Sequence, residues 1–337
     1  MNKIFAVPLE IFEERYTKQW SSWFVREFNN MNLDFEMVVG ECLTSKIETG
    51  SFLDICGTNY YKASQLMLLT KYLYEKKIQE GDCIFFFDLW FPGIEMLQYI
   101  RQGMDINFKI CGILHAGTYD PYDFLSKQGM GVWGKQIEES WFSFIDKIFV
   151  ATQFHKQLIL DKRACENKKI VVTGLPIYFN EIKGSNINQK DDIVVFPHRL
   201  DPEKNPQEFD KLKNRFPKWD FVKTKQICQT KEEYYDLLSQ SKIVVSFSDQ
   251  ETWGIAQQEA VANKCFPVVP NRLSYVEMYP KIFRYDSFLE CCEIIQKIMN
   301  CPKKYEEKRQ QTEENLKLKG EKAMLNIIRG VQLCLKK

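Results

Sequence analysis

Two carboxylates, Glu251 and Glu259, flank Trp253 and Gly254 in SDQETWGIAQQEAVANKCFPVVPNRLSY, residues 248–275. The run SKIVVSFS before them reads as a strand ending near Ser248, and WGIAQQEAVAN reads as a helix beginning near Trp253. Gly254, Ile255 and Ala256 then offer unpaired backbone N–H groups at a helix N-terminus, with the glycine allowing close approach. Such a terminus holds phosphate, each favourable dipole interaction contributing about 0.3–1 kcal/mol. Glu259 shares a helix face with Ile255 and Ala256. A carboxylate there is repelled by phosphate but accepts two hydrogen bonds from a vicinal diol such as ribose, and Glu251 can grip a sugar ring in the same way. The alternative is that both are ordinary acids favoured near a helix N-terminus by the macrodipole.

A second segment bears on the same chemistry. VVFPHRLDPEKNPQEF, residues 194–209, places Arg199 and Lys204 just after a strand. Two cations at the mouth of a sheet suit a diphosphate, each charge-assisted hydrogen bond being worth roughly 1.5–3 kcal/mol. Solvated surface charges are the other reading. Pro197, Pro202 and Pro206 hold the loop rigid, which favours a binding role.

The elements that must position these residues follow one scheme. KIFAVPL, FEMVVG, DCIFFFD, FKICGILHA, DKIFVAT and KKIVVTG read as strands in the first half, with helical patterns near 17–29, 60–77, 92–102, 133–145 and 153–163. DIVVFP, WDFVKT, SKIVVSFS, KCFPVVP and KIFRYD repeat it in the second. Near-continuous apolar strands separated by helices signal parallel sheets covered on both faces. The expected fold is α/β, two Rossmann-like doubly wound domains facing a cleft. The expected boundaries are 1–176, a linker over 177–190, 191–300, and a helical tail over 301–337 that packs on the first domain or ends the second. Ligands in such sheets sit at the carboxyl ends of strands.

Bulk properties narrow the class. The chain has 337 residues, enough for two domains. With 46 basic and 45 acidic residues the net charge is +1, so any polyanion must be met by a local patch. Eleven cysteines without a C-x-x-C pair or regular spacing read as reduced thiols, with no metal site among them. MNKIFAVPLEIF is broken by Pro8 too early for a secretory segment, and no apolar run approaches the ~20 residues of a membrane span. The expected setting is cytoplasmic, or a host's cytoplasm for a phage-encoded chain.

In order, Arg199, Lys204, Glu251, Trp253, Gly254, Glu259, Ala260, Pro267, Val268 and Val269 resemble the pattern of retaining, GT-B-fold glycosyltransferases of family 4. HRLDPEKNPQEF and QETWGIAQQEA…KCFPVVPNRLSYVE are similar in phrasing to the tRNA-queuosine mannosyltransferase-like branch, and ERYTKQW, ILHAGTYDP and VATQFHKQLIL align loosely with its first domain. The chain departs from that branch where Glu10, Glu14, Arg15 and Tyr16 replace a glycine-rich first loop, and where His115-Ala116-Gly117 and Gln250-Glu251 stand.

The resemblance implies a nucleotide-sugar donor, such as a UDP- or GDP-sugar, in the second domain and an acceptor in the first. It implies transfer with retention and no required metal, the diphosphate being held by Arg199, Lys204 and the helix N-terminus. The acceptor reading is a hydroxyl on a modified nucleobase, in tRNA or hydroxymethylated DNA. A glycan, lipid-linked or small-molecule acceptor is the alternative. A silent sugar-nucleotide-binding protein is the alternative from another class, and an epimerase is disfavoured because no extra acid suited to elimination is evident.

On the acceptor side, His115 ends a strand, where it can bond a sugar hydroxyl or stabilise leaving-group charge, or be satisfied by backbone. Asp88 also ends a strand, as an acceptor-orienting acid or the N-cap of PGIEMLQYI. Arg15, Tyr16, Tyr119, Asp120 and His155 complete the candidates, with His155 either at the surface or facing the acceptor. Tyr119, Tyr122, Trp133 and Trp141 could stack on a planar acceptor, Trp141 reading better as core.

Overall fold

The computed structural model describes residues 2–12, 16–43, 54–185 and 190–335. They form two compact units, residues 1–174 with 324–337, and residues 175–323.

In unit 1 the order is β1 (Ile4–Val7), α1 (Tyr16–Asn30), β2 (Phe35–Met37), α2 (Ile55–Tyr74), β3 (Cys83–Phe86), α3 (Ile94–Gly103), β4 (Lys109–Ile113), α4 (Gly131–Phe144), β5 (Lys147–Val150), α5 (Gln153–Lys162) and β6 (Ile170–Val172). All six strands are parallel, in the order β2-β1-β3-β4-β5-β6. Strands this short and apolar are buried on both faces. Ile84, Phe86 and Ile110 enter one apolar cluster with Leu69, Leu97 and Phe142. On the opposite face, Phe85 and Phe87 pack against Phe24 of α1. Local caps fix where helices start: Asp54 accepts from Gly57 N at α2, and Thr152 from His155 N at α5.

Unit 2 runs β7 (Asp191–Phe196), α6 (Pro206–Arg215), β8 (Asp220–Lys223), α7 (Thr224–Ile227), α8 (Lys231–Gln240), β9 (Ser241–Val245), α9 (Ile255–Ala262), β10 (Phe266–Pro270), α10 (Tyr275–Met278), β11 (Arg284–Tyr285), α11 (Phe288–Asn300) and α12 (Pro302–Leu335). Its five parallel strands are ordered β11-β10-β9-β7-β8. Helix α8 opens on a full capping box between Thr230 and Glu233.

Two expectations about boundaries meet particular structure. The described part of 177–190 is bonded into unit 2: Lys190 Nζ donates to Leu238 O, Ser239 O and Ser241 O at the carboxyl end of α8, where the helix dipole favours a cation. The described part of the 301–337 tail holds one helix, α12, Pro302–Leu335. Its residues through Ala323 cluster with unit 2 and those from Met324 with unit 1. Gly320 lies so close to Ile177 that a Cβ would sit 2.5 Å from its carbonyl oxygen, and a Cβ on Gly330 would strike the Phe149 ring. Among the described residues no helix is long and apolar enough to cross a membrane.

Candidate active site

In both sheets the order reverses beside the first strand, between β1 and β3 in unit 1 and between β7 and β9 in unit 2. A crevice opens outside the carboxyl ends of strands at such a switch point.

In unit 2 the loops after β7 and β9 meet there. They are stitched by Asp249 N donating to Glu203 O, by Asn205 Nδ2 donating to Phe247 O and Asp249 Oδ2, and by Arg272 donating to Asp249 Oδ1 and Ser248 O. The first loop ends in a 3-10 turn, Pro202–Lys204, and Asn205 takes a left-handed conformation before Pro206 opens α6. This rigid turn aims Lys204 inward. Only 5% exposed, its ammonium donates to Gln250 O at 2.5 Å and stands 3.5 Å from Glu251 Oε2.

Glu251 does two things at once. Its Oε1 accepts from the amides of Thr252, Trp253 and Gly254 at 3.2, 3.3 and 2.9 Å, while Oε2 faces Lys204. The expectation that Gly254 presents a free amide to phosphate is therefore corrected: Glu251 already takes that N–H, leaving Ile255 and Ala256 as the first helical amides. Gly254 is left-handed at φ 75° because it caps α9 where the chain reverses, and a Cβ there would meet nothing closer than 3.5 Å.

Arg199 is more exposed, with its guanidinium on Asp201 at 3.1 Å and Glu203 at 3.3 Å. Both acids belong to its own loop.

Glu259 differs from its expected role. It is buried, and its carboxylate accepts from Lys231 Nζ at 2.8 Å, Tyr235 OH at 3.1 Å and Tyr234 OH at 3.0 Å, all from α8. Three of about four acceptor positions are filled, so a ribose diol must displace one of these donors to be gripped as expected.

Beneath these loops lies a buried polar network that the sequence reading did not assign. His198, just past β7, has Nε2 at 2.8 Å from Ser246 Oγ and 2.6 Å from Gln257 Nε2, and Ser246 Oγ meets Tyr275 OH at 2.7 Å. Burial, aided by the charges of Lys204 and Arg199, pushes the His198 pKa well below its usual range, so the neutral ring accepts the Gln257 amide proton. Its signal was available: like His115, it follows a strand. Among the described residues, Trp253 Nε1 and Gln257 Oε1 are buried without a partner. Both belong to the turn and first turn of α9.

In unit 1, the ends of β3 and β4 bring Asp88 and His115 to neighbouring strands. His115 Nε2 must be the donor to Phe87 O at 2.8 Å, because a carbonyl only accepts. That leaves Nδ1 as an acceptor facing Tyr16 OH at 3.4 Å. Asp88 is not a helix cap: α3 is preceded by Gly93, and Asp88 Oδ1 accepts instead from Trp90 N. Lys62 of α2 lies 3.6 Å from Asp88 Oδ2 and donates to Trp90 O. Asp88, Lys62, Glu10 and Thr58 line a small cavity at the switch point between β1 and β3, with Thr58 Oγ1 donating to Glu10.

Other acceptor-side expectations are corrected. His155 is fully buried, Nε2 2.7 Å from Tyr119 OH. Desolvation by burial lowers its pKa to about 3, with a smaller push from His115. Tyr119 and Asp120 are buried as well, and Asp120 Oδ1 accepts from Tyr122 N. Tyr119 and Asp120 lie in the loop between β4 and α4, and His155 in the first turn of α5. Glu138 anchors that loop, accepting from Thr118 N, Thr118 Oγ1, Trp90 Nε1 and Arg163 Nε. A Cβ on Gly117 would come within 2.7 Å of Glu138 Oε1, so the glycine is required by this packing. Trp141 is core, as expected, with Nε1 donating to Glu95. Trp133 and Tyr122 remain exposed. Glu14 and Arg15 lie outside the described residues.

Comparison with known proteins decides the architecture. Sucrose-phosphate synthase from Thermosynechococcus elongatus superposes with a TM-score of 0.71 at 12% identity, covering 99% of this chain and 99% of that one. The fold is GT-B. The catalytic domain of starch synthase IV from Arabidopsis thaliana, bound to ADP and acarbose, shares this GT-B architecture at a TM-score of 0.66 and 10% identity, with all of both chains covered. Anabaena HepE in complex with UDP and glucose does so at 0.63 and 10%, again with all of both chains covered. No family model matches the chain. A curated relative, the tRNA-queuosine alpha-mannosyltransferase of Drosophila melanogaster, is 34% identical over 85 residues, which span 25% of this GT-B chain and 22% of that protein.

Proposed function

We propose that the chain is a glycosyltransferase that moves a sugar from a nucleotide-sugar donor to a hydroxyl acceptor with retention. The observation that carries the reading is the meeting of buried Lys204, Glu251 and the N-terminus of α9 at the switch point of the second sheet. Two further observations support it. Structures of the same fold hold UDP or ADP, and the unpartnered Trp253 Nε1 and Gln257 Oε1 belong to the same turn.

In this reading the anomeric C–O bond to the diphosphate breaks and the acceptor oxygen bonds the anomeric carbon on the same face. The acceptor proton passes to the departing phosphate. Lys204, Arg199 and the Ile255 and Ala256 amides take up the charge that develops on the leaving group, without a required metal. Arg199 must exchange its bonds to Asp201 and Glu203 for phosphate, and Glu251 positions the sugar.

The acceptor class proposed is a hydroxyl of a modified nucleobase in nucleic acid, resting on the partial similarity to the tRNA-queuosine enzyme. A glycan, lipid-linked or small-molecule acceptor is the second reading; a sucrose-phosphate synthase and a starch synthase share the fold.

The test is incubation with a panel of nucleotide sugars and, separately, tRNA, hydroxymethylated DNA and oligosaccharides, read by mass shift. A hexose or pentose increment on nucleosides supports the first acceptor, and one on glycans alone supports the second. Arg199→Ala and Glu251→Ala are expected to lower turnover by more than ~100-fold, about 2.7 kcal/mol of barrier, with circular dichroism unchanged. Normal transfer by both variants overturns the donor assignment. Turnover should be the same with and without added Mg2+ or Mn2+.

A further inference from the structure

Cys83, Cys111 and Cys334 are far apart in sequence, yet their sulfurs all lie within 4.8 Å of one another. Cys83 is in β3 and Cys111 in β4, with Cys83 opposite Lys109 and Cys111 opposite Phe85. Side chains alternate along a strand, so both cysteines project to the face that carries Phe85, away from the Ile84, Phe86 and Ile110 cluster. Their Sγ atoms are 3.3 Å apart. Cys334 comes down on them from the last turn of α12, whose Gly330 packs on Phe149 and whose Leu335 carbonyl accepts from Asn2 Nδ2. Cys83 and Cys111 are wholly buried, Cys334 nearly so.

We infer that these three cysteines form a metal site, taking one thiophilic d10 ion, Zn2+ or Cu+, that fastens the final turn of α12 to the sheet of unit 1. Three sulfurs about 2.3 Å from a common ion stand roughly 3.8–4.0 Å from one another, inside the spread observed. Soft thiolate donors select zinc and copper(I) over the hard cations. Ordinary core cysteines need only apolar neighbours. Here three sulfurs from three separate elements converge on one point instead. A disulfide joins two sulfurs and leaves the third idle, whereas an ion uses all three. Binding breaks the S–H bonds, releases the protons to solvent and forms three metal–sulfur bonds. Arg199, Lys204 and Glu251 lie in the other unit, and Asp88 and His115 follow Cys83 and Cys111 by five and four residues; the role inferred for the cysteine site is structural.

The test uses the full-length chain, reduced and metal-free. Titration with Cd2+, a spectroscopic stand-in, is expected to give a thiolate-to-metal charge-transfer band saturating at one equivalent. Zn2+ and Cu+ in separate arms should displace Cd2+, and the tighter competitor identifies the ion. Cys334→Ser should lose the band, while Cys301→Ser, at an exposed cysteine, should keep it. Metal should raise the melting temperature of the wild type and leave Cys334→Ser unmoved. Should that variant fail to fold, X-ray absorption on the wild type loaded with one zinc decides. A first shell of three sulfurs near 2.3 Å supports the site, and a shell dominated by nitrogen or oxygen overturns it. Failure to take up one equivalent of any of the three ions, or an equal band in Cys334→Ser, also overturns it.

Discussion

Histidine burial sets a pH response that can be read residue by residue. His155 is held neutral, its pKa lowered to about 3 by desolvation, against about 6.5 when exposed. Between those values the unfolded chain binds the proton and the folded one does not. The stabilisation is therefore complete above about pH 6.5 and is lost as pH falls toward 3, at about 1.4 kcal/mol per pH unit. His198, shifted the same way, adds in the same direction. Denaturant titrations should show His155→Gln losing less stability than wild type between pH 7 and pH 5, by roughly 2 kcal/mol. Parallel curves would show that the imidazole is not held neutral. The residue scale is also where sequence reading was weakest. Glu251 and Lys204, expected to bind sugar and diphosphate, stand 3.5 Å apart. The partners of Glu259, namely Lys231, Tyr234 and Tyr235, sit on another helix that no local pattern ties to it.

Strands and helices were the legible level. The apolar runs and amphipathic intervals mark both sheets because a strand buried on both faces must be apolar nearly throughout. Loops after strands were legible only as places. The 115–120 segment looked like a ligand-facing turn, polar and aromatic. It is instead pinned by Glu138, fully buried and bonded to Thr118, Trp90 and Arg163. Glu138→Ala leaves the Arg163 charge and the Thr118 amide without their acceptor. Losses of that kind cost about 3–5 kcal/mol. Hydrogen exchange should speed up first at residues 115–120 and in α4. Unchanged protection there would mean the loop is held by other contacts.

At the scale of the whole chain, the final turns of α12 belong to unit 1 although the helix starts in unit 2. Met324, Ile327, Ile328 and Val331 are completely buried, and each such side chain contributes about 1.5–3 kcal/mol. Their sum approaches the 5–15 kcal/mol that separates a folded domain from its unfolded state. A chain ending at Ala323 is therefore expected to lose the protease resistance of β3, β4 and β5 while β7, β9 and β10 stay protected. Equal protection throughout would show that unit 1 stands without this helix end.

The sequence by itself determined the two α/β domains and the cationic loop and helix start of the second domain. These follow from period and turn chemistry, which act over a few residues. Only the tertiary structure decided that Glu251 takes up the Gly254 amide, that Glu259 is held by three donors of α8, that His155 Nε2 and Tyr119 OH pair with one another, and that three scattered cysteines converge. Each of those depends on which distant element supplies the partner, and strand order, not local spacing, sets that.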